Sequence, residues 1–391
     1  MKILLFTTSL LSDKDSSWLL LKKMIKQLNE HEITIYSANY LRKKNNKYEN
    51  YHIIHNTLTL NTPLIAKSIN KIWKKLNFYI ALFYSRKLSR KIHQIVVKRS
   101  IDKIWIYNGM LTVLTLTELL EKITIPYHVS IFDDLLNNKN YKAYEKSLNN
   151  EFIKIIKNST SLDVVVPEQK DYYIERGILQ PSHQVGISYG GYFKDSSNVN
   201  LEIQSNVTKI CLTGNIFGIE SFIIFCSSVE KTCVKKGIKI HIYTNNNPLT
   251  LQTIKKSLIK FTNFVTIMPF VPEEKIVSTI AQYDLAYIQV PFSKEDKHKA
   301  ITSFPSKTHN YLSSSVPILL HSPDYAAVSQ FLKTNGLCYS INTIDPEEIL
   351  LKFEQLLCLD TRKAIHKKIV AFNNKPNNNL HFNNLMKIIG A

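Results

Sequence analysis

Short apolar runs alternate with longer stretches of helical period along almost the whole chain, and the alternation breaks once and then restarts. In the first half, strands are expected at Lys2–Thr8, Glu32–Ser37, Lys103–Tyr107, Tyr127–Phe132 and Leu162–Val166, and Ile187–Gly191 ends the half with Gly190-Gly191. Between them lie helical stretches such as Trp18–Asn29, Leu111–Lys122 and Gln169–Arg176. In the second half, strands are expected at Lys209–Thr213, Lys239–Tyr243, Val265–Pro269, Leu285–Gln289 and Val316–Leu320. A run that is apolar on both faces is a strand buried between helices, and strands joined through helices run parallel. The pattern therefore predicts an α/β protein with two parallel-sheet domains.

The break is the polar stretch KDSSNVNLEIQSN, residues 194–206, which has the composition of a linker. A chain of 391 residues is long enough for each half to bury its own core. The expected units are residues 1–195 and 207–372. An asparagine-rich segment then leads to a final helix, in a tail (373–391) expected to return to the first domain.

Ile301–Ser322, ITSFPSKTHNYLSSSVPILLHS, joins a helix start to a buried strand. Ser303 or Phe304 is read as the cap, Pro305 as first-turn residue, and Ser306 and Lys307 as lying just inside the helix. A helix start presents unpaired N–H groups and partial positive charge, which suits a phosphate, and Lys307 adds a full charge. Asp133-Asp134, at the carboxyl end of an expected parallel strand, stands where doubly wound folds place ligands. Asp13 and Asp15 form an Asp-x-Asp pair in a lysine- and serine-rich loop. They are read as solvated residues and not as a metal site.

The formal net charge of +19 is spread over a chain crowded with Lys, Asn and Ile, so local clustering is more informative than the total. From Lys67 to Lys103 the only acid is Asp102, and aromatic and aliphatic residues recur close to a helical period among the bases. Lys71, Lys74, Lys75, Arg86, Lys87, Arg90 and Lys91 fit a helical surface that rests on an anionic membrane, or solvated lysines on helices that cover a sheet. Nucleic acid is not expected as a partner, because the basic cluster lies on helices with no recognised binding motif. No apolar run approaches the roughly 18 residues of a spanning helix. The opening MKILLFTTSLLS reads as a first strand better than as a signal peptide, so a cytoplasmic protein is expected. Five cysteines without a CxxC pair or metal-like spacing argue for a reducing compartment and against structural zinc.

GxGxxG, Walker A and GxSxG motifs and paired histidines at metal spacing are all missing, which leaves little room for dehydrogenase, P-loop or serine-hydrolase chemistry. Four segments together resemble a GT-B glycosyltransferase of the bacterial surface-polysaccharide type (group 1-like). They are TSLDVVVPEQKDYYIERG (160–177), LTGNIFG (212–218), IMPFVPEEKIVSTIAQYDLAYIQV (267–290) and FPSKTHNYLSSSVPILL (304–320). The resemblance implies two Rossmann-like domains facing an interdomain cleft. It also implies metal-independent, hexosyltransferase-type transfer from a nucleotide-sugar donor to a glycan or lipid-linked acceptor in cell-envelope polysaccharide biosynthesis, with no bound cofactor. Carried across residue by residue, Gly214 and Asn215 approach the donor, Phe270 and Val271 lie near its base, Ser306 and Lys307 meet its diphosphate, and Asn310 meets its ribose. Asp133, or Asp134 beside it, takes the catalytic position.

The chain departs from the family where two glutamates are usual, at Thr302 and Asn310. It has Ser315 in place of a common glycine, and Phe132-Asp133 in place of His-Asp. No Arg or Lys follows the glycine loop, since Ile216–Ile224 holds Glu220 as its one charge. The rival expectations are a non-enzymatic membrane- or nucleic-acid-binding protein and a nucleotide-sugar epimerase of the same build.

Overall fold

The structure is a computed structural model. It describes residues 1–7, 16–37, 52–55, 70–107, 109–132, 134, 136, 145–189, 202–216, 218–244, 248–375 and 380–390. The chain divides into two compact units, Met1–Gly191 with His381–Ala391, and Tyr192–Leu380.

In the first unit the elements are β1 (Lys2–Thr7), α1 (Ser16–Gln27), β2 (Glu32–Ser37), β3 (His52–His55), α2 (Asn70–Arg99), β4 (Lys103–Tyr107), α3 (Met110–Leu120), β5 (Tyr127–Ile131), α4 (Glu145–Asn158), β6 (Ser161–Val164), α5 (Pro167–Glu175) and β7 (Val185–Ile187). All seven strands are parallel, in the order β3-β2-β1-β4-β5-β6-β7. One sheet face is apolar: Leu4, Phe6, Ile104, Ile106, Val129, Ile131, Leu162 and Val164 pack with α2, α3 and α4. Register puts Trp105, His128, Ser130, Ser161 and Asp163 on the other face, where each bonds another of the set, although Asp163 Oδ2 has no partner among the described residues. The Trp105 indole donates to Ser130 Oγ at 2.8 Å, Ser130 donates to Asp163 Oδ1 at 2.5 Å, and His128 bridges Asp163 and Ser161 at 2.8 Å each. A buried polar set of this kind is tolerable only when its members are bonded. Burial pushes the His128 imidazole below its usual range.

The second unit restarts with β8 (Lys209–Thr213), α6 (Ile219–Lys236), β9 (Lys239–Tyr243), α7 (Pro248–Ser257), β10 (Val265–Met268), α8 (Glu273–Ile280), β11 (Leu285–Gln289), α9 (Lys297–Thr302), α10 (Lys307–Ser314), β12 (Ile318–His321), α11 (Ala327–Thr334), β13 (Cys338–Ile341), α12 (Pro346–Leu356) and α13 (Leu359–Asn373). Its six parallel strands run β10-β9-β8-β11-β12-β13, the first sheet's order over again. Local signals set the helix ends. Gly237, at φ +68°, closes α6 with Ile238 N donating to Cys233 O at 2.8 Å. Asp345 accepts from Glu347 N and Glu348 N at the start of α12, with Pro346 in its first turn.

The last helix, α14 (Leu380–Gly390), packs in the first unit. Lys103 donates to Ile388 O at 3.2 Å, placing a cation at the helix's carboxyl end. The boundaries between the units fall at Tyr192 and His381. The basic stretch, expected as more than one helix, contains one continuous helix of 30 residues, α2.

Candidate functional site

Where the strand order of a parallel sheet reverses, the loops leaving adjacent strands diverge and open a crevice at their carboxyl ends. In the second unit that point lies between β8 and β11. The loop after β8 begins at Gly214 (φ +76°) and ends at Gly218 (φ +68°), both in the left-handed region. At Gly218 a Cβ would meet Pro291 Cβ and Cγ at 2.9 Å, so the loops after β8 and β11 touch there. The Gln289 side-chain amide donates to the Gly218 carbonyl and ties the two loops together. Gly214 N donates to Tyr243 O at 2.8 Å, which holds the start of the loop against β9.

α10 closes the site from above the same strand ends. Lys307 and Tyr311 are one turn apart and share a face of the helix. Lys307 Nζ donates to Asn215 O at 3.1 Å, and its Cε passes within 3.7 Å of where a Cβ on Gly214 would sit. The Tyr311 hydroxyl accepts from Thr213 N at 2.7 Å and donates to Tyr287 O at 3.3 Å, which locks the helix to the last residue of β8. Lys307 is buried, at 8% exposure, and burial brings its ammonium down to about 8. Ser306, exposed, precedes it as the cap residue, and its side chain makes no capping bond. The buried Thr308 hydroxyl has no partner among the described residues.

At the two positions where the resembling family carries glutamates, Thr302 is buried and donates to His298 O at 3.0 Å, while Asn310 is half-buried. Ser315 ends α10 at φ +59°, the left-handed conformation for which glycine is the ordinary choice. Phe270 is 49% exposed in the segment after the edge strand β10, and Val271 beside it is half-buried. Chemically, the arrangement is one that can cradle an anion. Bare left-handed backbone meets a desolvated cation at the first turn of a helix, and the positions of the usual carboxylates are neutral.

Of the residues singled out from the sequence, the structure brings Lys307 onto Gly214 and Asn215. Tyr311, Thr213 and Gln289 beside them were not singled out. A tyrosine one turn after the lysine, on a helix start facing a buried strand, was the available signal for Tyr311.

In the first unit, Asp133 lies outside the described residues. Asp134 Oδ1 accepts from Leu136 N at 3.0 Å and from the Tyr173 hydroxyl at 2.8 Å. Burial first, and then the Asp134 charge, push the Tyr173 phenol well above its usual range. Phe132 stacks on Tyr107 with ring centroids 4.8 Å apart, filling the position where the family has histidine. On α2, Arg86, Lys87, Arg90 and Lys91 are exposed, and Arg86 pairs with Glu118 at 3.2 Å. The side chains of Lys71, Lys74 and Lys75, and the Asp13/Asp15 pair, lie outside the described residues. Among the described residues no three His, Cys, Asp or Glu side chains come together as a metal site, and no helix is long and apolar enough to cross a membrane.

No protein-family model and no curated protein matches the chain. Solved structures do. Trehalose-6-phosphate synthase from E. coli, bound with UDP-2-fluoro glucose, superposes with a TM-score of 0.69 at 10% identity, over 100% of this chain and 99% of that one. A glycosyltransferase from Rickettsia africae gives 0.63 at 14% identity, over 99% and 97%. Sucrose-phosphate synthase from Thermosynechococcus elongatus gives 0.61 at 10% identity, over 99% and 98%. These likenesses define the architecture: the chain has the GT-B fold, an α/β build of two Rossmann-like parallel-sheet domains.

Proposed function

We propose that the chain is a glycosyltransferase that moves a sugar from a nucleotide-sugar donor, with the donor's diphosphate held by the glycine loop and Lys307. The carrying observation is the buried Lys307 ammonium, 3.1 Å from the Asn215 carbonyl at the carboxyl end of β8. Desolvating a lysine is unfavourable, and a diphosphate at the same point would restore the lost interaction. As the bond to the sugar breaks, negative charge grows on the departing diphosphate. A fixed cation and a helix start then stabilise the transition state more than the ground state. Transfer by this route needs no bound metal. The exposed Phe270 ring supplies a face for the nucleobase, and Asn310 supplies an amide for the ribose.

The acceptor in this reading is a glycan or lipid-linked saccharide of the cell envelope, elongated on the cytoplasmic side. Asp133, one position past Phe132 at the end of β5, is the proposed base or orienter of the attacking hydroxyl. Asp134, engaged by Tyr173, supports the turn beside it.

The test is donor binding and turnover by Lys307→Ala. Losing a charge-assisted contact of roughly 1.5–3 kcal/mol is expected to weaken either by one to two orders of magnitude. Wild-type affinity for a nucleoside diphosphate is expected to fall as pH rises through about 8, where the free ammonium deprotonates, and the variant to show no such fall. Unchanged affinity and rate in Lys307→Ala would remove the diphosphate from this site.

A further inference from the structure

α2 is a helix of 30 residues whose sequence holds no acid. Its buried side is unambiguous: Phe78, Ala81, Ser85, Leu88, Ser89, Ile92 and Val96 face inward at helical spacing. Ser85 and Ser89 satisfy themselves on the helix, bonding Leu82 O and Arg86 O, and Lys122 donates to Ser89 Oγ at 2.9 Å. The core-facing side thus needs nothing further.

The outward side is unusual for a solvated surface. Tyr79 (66% exposed), Phe83 (57%) and Val97 (66%) lie on it together with Lys87, Arg90, Lys91 and Lys98, all exposed. At 100° per residue these positions fall in one stripe, and from Tyr79 to Lys98 it is about 29 Å long. Lys87 stands over the Phe83 ring, 4.6 Å from its centroid, so the aromatic and the base occupy one spot. Arg86, at the edge of the stripe, is engaged by Glu118 of α3.

We infer that this stripe docks on the surface of an anionic lipid bilayer, with Tyr79, Phe83 and Val97 entering the interface and Lys87, Arg90, Lys91 and Lys98 on the headgroups. A helix that lies in a bilayer interface needs bases for the headgroup charge and large apolar side chains for the acyl boundary, and this stripe carries both. A nucleic acid would use the bases but would gain little from Val97 or from aromatics on a convex ridge. The inference concerns the first unit alone and does not depend on the donor site, so either can fail without the other.

The experiment is co-sedimentation of the full chain with vesicles of phosphatidylcholine, with and without phosphatidylglycerol, at low and high salt. Binding is expected to favour the phosphatidylglycerol vesicles by on the order of a hundredfold at low salt and to weaken as salt rises. Lys87→Glu combined with Arg90→Glu and Lys98→Glu is expected to abolish that preference. Tyr79→Ser with Phe83→Ser is expected to remove the part of binding that persists at high salt. Both variants are to keep the wild-type unfolding midpoint and nucleoside-diphosphate affinity, which separates a lost surface from a lost fold. Equal binding to both vesicle types, binding to neither, or variants that bind like wild type would overturn the inference. Stronger retention by single-stranded RNA than by anionic vesicles would also overturn it.

Discussion

Lys307 is held in a state that burial makes costly to the fold. A fall from 10.5 to about 8 corresponds to about 3 kcal/mol working against the folded, charged form. The folded lysine holds its proton less tightly than the unfolded one, so this penalty is full below pH 8 and shrinks as pH rises toward 10.5. Lys307→Met keeps the length and drops the charge. It is expected to raise the unfolding free energy by up to about 3 kcal/mol at neutral pH, with the gain fading above pH 8. Denaturant titrations across a pH series measure it, and a gain that does not vary with pH would mean the amine is solvated. Gly218 constrains the same site through space and not charge. Its φ of +68° and the 2.9 Å approach of Pro291 act together, so Gly218→Ala is expected to cost about 2–3 kcal/mol. Gly177→Ala is the control: φ is +63° there with nothing within 4 Å, so only the conformational part, about 1 kcal/mol, is expected.

At the scale of elements, what the chain announces depends on whether an element is defined by its own residues or by its neighbours. β1, β4, β8, β11 and β12 read clearly because their central residues are apolar and buried on both faces. β3 (HIIH) is too short to show a period, and β13 (CYSI) is half-exposed, so neither stands out from a loop. α13 hides for another reason: Ile365, Ile369 and Phe372 are buried at helical spacing, but bases crowd between them. The start of α10 was legible to within a few residues. Pro305 belongs to the turn before the helix, with Thr308 N donating to Pro305 O at 3.0 Å, while α9 takes up the preceding residues through Thr302. Lys307 could be picked out because a helix start and a base adjoin in sequence. Its depressed basicity and the Tyr311–Thr213 bond could not, because they depend on β8 and the loop after it, more than ninety positions away.

Over the whole molecule, one strand order is used twice, with separate cores, and α14 packs in the first unit after the second is complete. The proposed chemistry is unequal between the two copies: the glycine loop, Lys307, Asn310 and Phe270 all belong to the second. A ligand that binds only the folded form stabilises what it touches by RT ln(1 + [L]/Kd), about 2.7 kcal/mol at a hundred times Kd. A nucleoside diphosphate is therefore expected to slow hydrogen exchange in β8, β9, β11 and the first turn of α10. Exchange in β1, β4, β5 and β6 should change far less, because that sheet has its own core and its own opening equilibrium. Lys307→Ala is expected to need at least ten times more nucleotide for the same protection, in step with its weaker binding. Protection confined to the first unit would instead put the nucleotide on the polar-faced sheet of β4, β5 and β6, and the roles of the two copies would be reversed.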